Sequence, residues 1–95
     1  MAKLEQATSN TGIRLYFYCP GCKGYHVFDS RWSWNNDLEK PTFSPSLLCD
    51  PNGDNRCHLF VRDGMIEFLA DCHHGLAGQT VEMPDMPQIM EVGND

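Results

Sequence analysis

Cysteine and histidine residues occur in two groups whose types and spacing suit metal binding. The first group is the stretch YFYCPGCKGYH, in which two residues separate Cys19 from Cys22 and His26 follows four residues later. This spacing lets two sulfurs point at one ion from a tight turn. The second group is FLADCHHGLAGQT, in which Cys72 precedes two histidines. A common site requires the fold to bring the two groups together.

A predicted β-hairpin brings a second pair of cysteines onto one face. The segment CHLFVRDGMIEFLADC alternates apolar and polar residues around Asp63-Gly64, a dipeptide that favours a two-residue hairpin turn. In that register the facing pairs are Val61 with Ile66, Leu59 with Phe68, and Cys57 with Ala70. Because side chains repeat every second residue, Cys72 is predicted to lie one step further along the face of Cys57.

We therefore predict a zinc site with four thiolate ligands, which are Cys19, Cys22, Cys57 and Cys72. Four soft thiolates in a closed tetrahedral set are typical of structural Zn²⁺. His26 or His74 could replace one thiolate, while Cys49 is expected to be a buried or free thiol. Zinc binding contributes roughly 10–16 kcal/mol at neutral pH, enough to decide the folding of a short chain.

The other face of this hairpin carries a different set of polar groups. His58 and Asp71 are predicted to be diagonal neighbours there, with His74 close behind. A His–Asp–His cluster of this kind could supply a general base or a second, catalytic metal site. The alternative is that His58 and Asp71 form a surface pair that orients a zinc ligand.

The remaining segments favour a small all-β fold with little helix. GIRLYFYC alternates as a strand, CPGCKG forms a turn, and YHVF returns, so that the first cysteine pair lies at a hairpin tip. PTFSPSLLC carries two prolines and is expected to be an irregular or edge strand, and QTVEMP is a last short strand. We predict zinc-ribbon-like antiparallel hairpins around a zinc knuckle. Residues 11–86 form this single domain, residues 1–10 a flexible N-terminal tail and residues 87–95 an acidic C-terminal tail.

Composition limits the classes of partner. The 95 residues carry a formal net charge of -6, and the seven Lys and Arg residues are scattered singly. Without a basic stripe to neutralise phosphates, nucleic-acid binding by a zinc ribbon is disfavoured. No apolar run reaches the ~18–20 residues that span a membrane, and the first residues lack the apolar core of a signal peptide. We expect a cytoplasmic protein whose thiols stay reduced.

Three of these segments together resemble a family of small uncharacterised proteins found in phages and prophages. That family's pattern runs CPGC with a downstream His, then W-x-[WF]-N-G-D, then P-T-F-S-P-S, and closes with C-H-S-F-V-x-D-G-x-I-Q-F-L-x-D-C-T-H-A-L-A-G-Q-T-V. The resemblance covers roughly Tyr16 to Asp85. The pattern carries over onto Cys19, Cys22, His26, Cys57, His58, Asp71, Cys72, His74 and Gln79, and it does not include Cys49.

The chain departs from this pattern in three places, with Asn36 for Gly, Leu59 for Ser and His73 for Thr. The family's histidine is therefore His74, which we prefer over His73 at any functional site. The resemblance implies a protein of a bacterial host's cytoplasm and names no activity. We predict an acidic, zinc-stabilised module that binds another protein, with a host protein that it inhibits or modulates as a candidate partner. The alternative is a zinc-dependent hydrolase that uses His58, Asp71 and His74.

Overall fold

Three antiparallel sheets contain the strands of residues 2–10 and 12–86, the part of the chain that the computed structural model describes. A three-stranded sheet has the order β1-β2-β3, β4 pairs with β5, and a four-stranded sheet has the order β6-β7-β8-β9. The strands are β1 (Glu5–Ser9), β2 (Gly12–Cys19), β3 (Gly24–Phe28), β4 (Ser33–Trp34), β5 (Phe43–Ser44), β6 (Leu47–Cys49), β7 (Cys57–Arg62), β8 (Met65–Phe68) and β9 (Thr80–Glu82). The described residues contain no helix, so the predicted all-β class is confirmed.

The hairpin of β7 and β8 forms in the predicted register. Leu59 pairs with Phe68, and the two turn residues Asp63 and Gly64 have positive φ angles of 51° and 77°. Positive φ at both central residues is the type I′ geometry, which matches the twist of the flanking strands and favours glycine at the second position. The turn chemistry of the sequence thus sets the register of this sheet.

The hairpin ends earlier than the sequence predicts. β8 stops at Phe68, and a backbone hydrogen bond from the Leu69 N–H to the His58 carbonyl follows it at 2.9 Å. The Cys72 N–H then donates to the Leu69 carbonyl at 3.3 Å, which closes a turn. The prediction that Cys72 continues a regular strand on the face of Cys57 is therefore wrong.

The hairpin of β2 and β3 carries the first two cysteines at its tip, as predicted. Cys19 and Gly24 form the last pair of this ladder. The Lys23 N–H donates to the Cys19 carbonyl at 2.8 Å, and Lys23 itself has a positive φ of 59°. This tight turn leaves the side chains of Cys19 and Cys22 close together above the end of the hairpin.

The N-terminal residues form a strand rather than the predicted tail. Glu5–Ser9 pairs along β2, from Glu5 opposite Tyr16 to Ser9 opposite Gly12. Residues 5–8 are all exposed, so they present no buried face and lack the apolar alternation that would reveal a strand in the sequence. Leu4, directly before it, is buried at 3% exposure and ties the segment to the core. The predicted C-terminal tail, residues 87–95, lies outside the described residues.

One apolar core joins the three sheets. Phe28 is buried in this core, stacked on Phe43 with ring centroids 3.8 Å apart and edge-on to Trp32 at 5.3 Å. Two cysteines, Cys19 and Cys57, are fully buried in this core. Its buried residues are Leu4, Leu15, Phe17, Cys19, Phe28, Phe43, Leu47, Cys57, Leu59, Val61, Ile66, Phe68 and Met83.

Candidate functional site

Four side chains converge at the tip of the first hairpin in a group that could hold a metal ion. They are Cys19, Cys22, Cys57 and His74, and one potential ligand atom from each lies within 4.8 Å of all the others. The turn between β2 and β3 supplies the first two, the start of β7 supplies the third, and the loop after β8 supplies the histidine. The fold thus joins the two groups of the sequence into one site.

The donor set fits zinc. Three thiols and one imidazole form one of the common tetrahedral ligand sets of structural Zn²⁺. The Cys22 N–H lies 3.4 Å from the Cys19 sulfur and donates to it, as expected for a turn that supports a thiolate. None of the five cysteines forms a disulfide. Zinc bound here would have four protein ligands, which is the closed arrangement of structural rather than catalytic sites.

The thiols of this cluster compete for negative charge. A hydrogen bond from Cys57 outweighs the desolvation of Cys19 and lowers the pKa of the Cys19 thiol to about 4. The same contact raises the pKa of Cys57, and desolvation with the Cys19 charge raises that of Cys22. One thiol therefore ionises at the expense of its neighbours. A divalent cation would remove this conflict, because it stabilises all three thiolates together.

His74 reaches the cluster because position 21 has no side chain. A Cβ atom built on Gly21 would overlap the His74 ring. The ring also packs edge-on against Phe68, with centroids 4.6 Å apart, and its Nδ1 accepts a hydrogen bond from the Leu76 N–H at 3.2 Å. Desolvation lowers the pKa of His74, which favours the neutral form that metal ligation requires.

The other predicted ligands lie outside this group. His26 stands beside it, with Nδ1 3.4 Å from the Cys49 sulfur. Burial opposes its protonation, but the contacts with Cys19 and Cys49 prevail and raise the pKa of His26 to about 10. Cys72 contacts the backbone of His58 instead of the cluster. Of the two alternates, the structure thus brings His74 among the thiols and leaves His26 next to them.

A second constellation lies on the opposite face of β7. The Ser46 Oγ is 3.1 Å from His58 Nε2, and the Nδ1 of the same ring is 3.3 Å from Asp71 Oδ2. A hydroxyl, an imidazole and a carboxylate connected in this order form the arrangement of a nucleophile, a general base and the group that orients the base. His58 and Asp71 are the predicted neighbours, and Ser46 is an additional member.

Strand pairing explains how Ser46 reaches His58. Ser46 directly precedes β6, which is an edge strand, and Leu48 of β6 pairs with His58 of β7. Ser46 lies two residues before Leu48 and thus on the same face, diagonal to His58. The indole N–H of Trp32 donates to the Ser46 carbonyl at 3.2 Å and fixes this part of the backbone.

Arg56 holds the carboxylate of Asp71 from the other side. Its Nε and Nη2 lie 2.8 and 2.7 Å from Asp71 Oδ2, and its Nη1 donates to the Pro51 carbonyl at 2.8 Å. Desolvation opposes ionisation of Asp71, but the hydrogen bonds from Arg56 and His58 outweigh it and lower its pKa. Asp71 is therefore a carboxylate at neutral pH, as an orienting group must be.

Both sites take residues from the same two segments of the chain. Cys57 and His58 are consecutive in β7, so their side chains point to opposite faces of the sheet. Asp71 and His74 lie in the loop that follows β8. A metal held by Cys57 and His74 would therefore also fix the distance between His58 and Asp71.

Sequence reasoning missed Ser46, although its segment stood out. The two prolines of the stretch PTFSPSLL indicate only an irregular or edge strand. A serine hydroxyl gives no periodicity or spacing that distinguishes a nucleophile from a surface residue. The pairing of this edge strand with the strand that carries His58 is what places a serine of this segment within reach of the imidazole.

Comparison with known proteins identifies a family. No curated protein and no solved structure is significantly similar to the chain. Within residues 2–10 and 12–86 there is no helix long and apolar enough to span a membrane. A family model described as bacterial ubiquitination-like system serine protease (BubE) matches residues 3–69, a range that includes Ser46 and His58 and ends before Asp71. Since this range is more than half of the 95 residues, the chain belongs to the BubE family.

Proposed function

We propose that this protein is a serine hydrolase with a Ser46–His58–Asp71 triad, built on a domain that a structural zinc ion stabilises. The observation that carries the proposal is the unbroken series of contacts from Ser46 Oγ through both ring nitrogens of His58 to Asp71 Oδ2, at 3.1 and 3.3 Å. The family's description as a serine protease supports the same chemistry.

The chemistry follows from the positions of the three side chains. His58 Nε2 takes the hydroxyl proton of Ser46 as Oγ attacks the carbonyl carbon of the substrate, and returns that proton to the leaving group. Water then enters, His58 again acts as the base, and hydrolysis of the acyl-serine releases the acid. Asp71 accepts a hydrogen bond from the Nδ1–H of His58, which keeps Nε2 free to act as base and stabilises the imidazolium that forms.

The zinc ion has a structural role in this proposal. Cys19, Cys22, Cys57 and His74 would hold it with four protein ligands, so no coordination position remains open for a substrate or an activated water. Its contribution is to clamp β7 to the loop after β8, and thereby to hold His58 against Asp71. His74 is engaged with the thiols, so the alternative of a zinc hydrolase using His58, Asp71 and His74 lacks its third member.

The proposed substrate is a polypeptide. The family description refers to a bacterial ubiquitination-like system, and we propose that a protein of such a system supplies the acyl group that Ser46 attacks. Ser46 and His58 are only half-buried, and Asp71 is exposed. An open site on a sheet face can receive an extended segment of another protein. A phage or prophage origin, a host protein as partner and a non-enzymatic binding role remain predictions from the sequence.

A covalent probe tests the proposal. The zinc-loaded protein is incubated with a fluorophosphonate, which phosphorylates the activated serine of serine hydrolases, and the adduct is located by mass spectrometry. We expect labelling at Ser46, its loss in Ser46→Ala and His58→Ala, and normal labelling in Ser44→Ala, which removes an exposed hydroxyl of the same segment. Hydrolysis of p-nitrophenyl acetate should fall by about 10³-fold or more in Ser46→Ala. Unlabelled wild-type protein, or equal hydrolysis by Ser46→Ala, would contradict the proposal.

A further inference from the structure

Cys72 lies between the two sites and is a ligand of neither. Its sulfur is 3.3 Å from the backbone nitrogen of His58 and 3.2 Å from the carbonyl oxygen of the same residue. It directly follows Asp71 and is half-buried against the core. A side chain that touches both backbone polar groups of the residue carrying the proposed general base is in a position to orient it.

The end of β8 creates the need for this contact. In an antiparallel ladder the N–H and C=O of one residue point to the same neighbouring strand. The His58 carbonyl accepts from the Leu69 N–H at 2.9 Å, so the His58 N–H also faces the side of β8. The chain turns away after Leu69, and the hydrogen bond of the His58 N–H goes to the Cys72 sulfur. The thiol thus continues the ladder beyond the last paired residue of β8.

We propose that Cys72 is a positioning residue for His58, which acts through a thiol that accepts from the His58 N–H and donates to the His58 carbonyl. This inference rests on the proposed function, because it assigns the contact a role in orienting the general base. Cys72 directly follows Asp71, so the contacts of its thiol tie the strand that carries His58 to the loop that carries Asp71. It therefore sets the backbone at one end of the His58–Asp71 hydrogen bond, while Arg56 holds the carboxylate at the other end.

The pair of bonds also separates this role from that of a zinc ligand. A zinc-bound thiolate has no proton to donate to a carbonyl. The described cluster is complete with four ligand residues, none of which is Cys72. Replacing Cys72 should therefore leave the zinc content unchanged, whereas replacing a ligand should not. Serine has both a donor and acceptors on its hydroxyl and can make the same two contacts, whereas alanine can make neither.

The test compares Cys72→Ala, Cys72→Ser and Cys49→Ala in the zinc-loaded protein, with p-nitrophenyl acetate as the substrate. Cys49→Ala is the matched control, because it removes another half-buried thiol, one whose sulfur contacts His26. A misplacement of about 1 Å in a catalytic group costs on the order of 10²-fold. We expect Cys72→Ala to lower kcat by about 10²-fold with KM and zinc content unchanged, Cys72→Ser to restore most of kcat, and Cys49→Ala to retain it.

Three outcomes would overturn the inference. If Cys72→Ala keeps the wild-type kcat, the thiol does not position His58. If Cys72→Ala loses zinc, or if Cys72→Ser is as impaired as Cys72→Ala, the thiol acts as a ligand or through its packing instead.

A readout that needs no turnover separates this inference from the proposed function. In the Ser46→Ala background, the downfield proton resonance of the His58 Nδ1–H reports the hydrogen bond to Asp71. We expect this resonance to be preserved by Cys72→Ser and lost or shifted by Cys72→Ala. An unchanged resonance in Cys72→Ala contradicts the positioning role. Undiminished hydrolysis by Ser46→Ala alone contradicts the proposed function and leaves the resonance to decide the role of Cys72.

Discussion

Substitution of Gly21 by alanine should remove one ligand from the metal site without changing any ligand residue. The added Cβ would overlap the His74 ring, so the imidazole must leave its place among the thiols. The φ angle of Gly21 lies outside the left-handed region, so alanine adds no backbone strain there. Gly24→Ala is the matched control, because Gly24 begins β3 directly after this turn and its Cβ would have no atom within 4 Å.

The expected loss of zinc affinity can be derived from the ligand count. A structural zinc site contributes about 10–16 kcal/mol near neutral pH, and an equal division among four ligands gives about 3 kcal/mol for each. A change of that size raises the Kd for zinc by about two orders of magnitude. The thiols of Cys19, Cys22 and Cys57 would remain, so Gly21→Ala should still bind zinc, but more weakly.

Competition with a chromophoric chelator measures this difference directly. We expect a Kd for zinc about 10²-fold higher in Gly21→Ala than in the wild type, and a wild-type value in Gly24→Ala. His74→Ala should match Gly21→Ala, and the double variant should be no weaker than either single one, because both changes remove the same ligand. Equal zinc affinity in Gly21→Ala and Gly24→Ala would refute the assignment of His74 as a ligand.

Two further predictions concern the coupling of the sites. Arg56→Gln should lower kcat for p-nitrophenyl acetate by about 10- to 100-fold with little change in KM, because Asp71 loses the two contacts that hold its carboxylate. The control is Arg31→Gln, which removes an exposed arginine paired with Asp29. Equal kcat values in the two variants would contradict the role of Arg56. Removal of zinc with a strong chelator should abolish both labelling by the fluorophosphonate and the cooperative unfolding transition, and stoichiometric zinc should restore them. Retention of full labelling by metal-free protein would show that the triad does not depend on the metal.

Local signals in the sequence specify both hairpins. Asp63 and Gly64 adopt the positive φ angles that their residue types favour, and the alternation on either side sets the register from that turn. The spacing of Cys19 and Cys22 likewise predicted a hairpin tip with two adjacent thiols. Both predictions succeeded because turn chemistry and strand alternation act over a few neighbouring residues.

The fourth residue of the metal group depended on where β8 ends. A regular strand would have carried Cys72 onto the face of Cys57, and the sequence contains no proline or glycine between Phe68 and Cys72 to indicate otherwise. The chain nevertheless turns after Leu69, which brings His74 to the cluster and leaves Cys72 at the backbone of His58. The space above Gly21 and the face of Phe68, which receive the His74 ring, exist only in the folded chain.

The sequence alone thus determined the fold class, the two hairpins and most of the residues that could bind a metal, because each depends on short-range patterns. Tertiary structure decided which of these side chains meet, and it revealed Ser46, whose hydroxyl approaches His58 only because the edge strand β6 pairs with β7. The same holds for β1, whose exposed residues show no apolar alternation and form a strand through pairing with β2. Contacts between residues distant in the chain depend on the relative placement of whole strands, which no local pattern specifies.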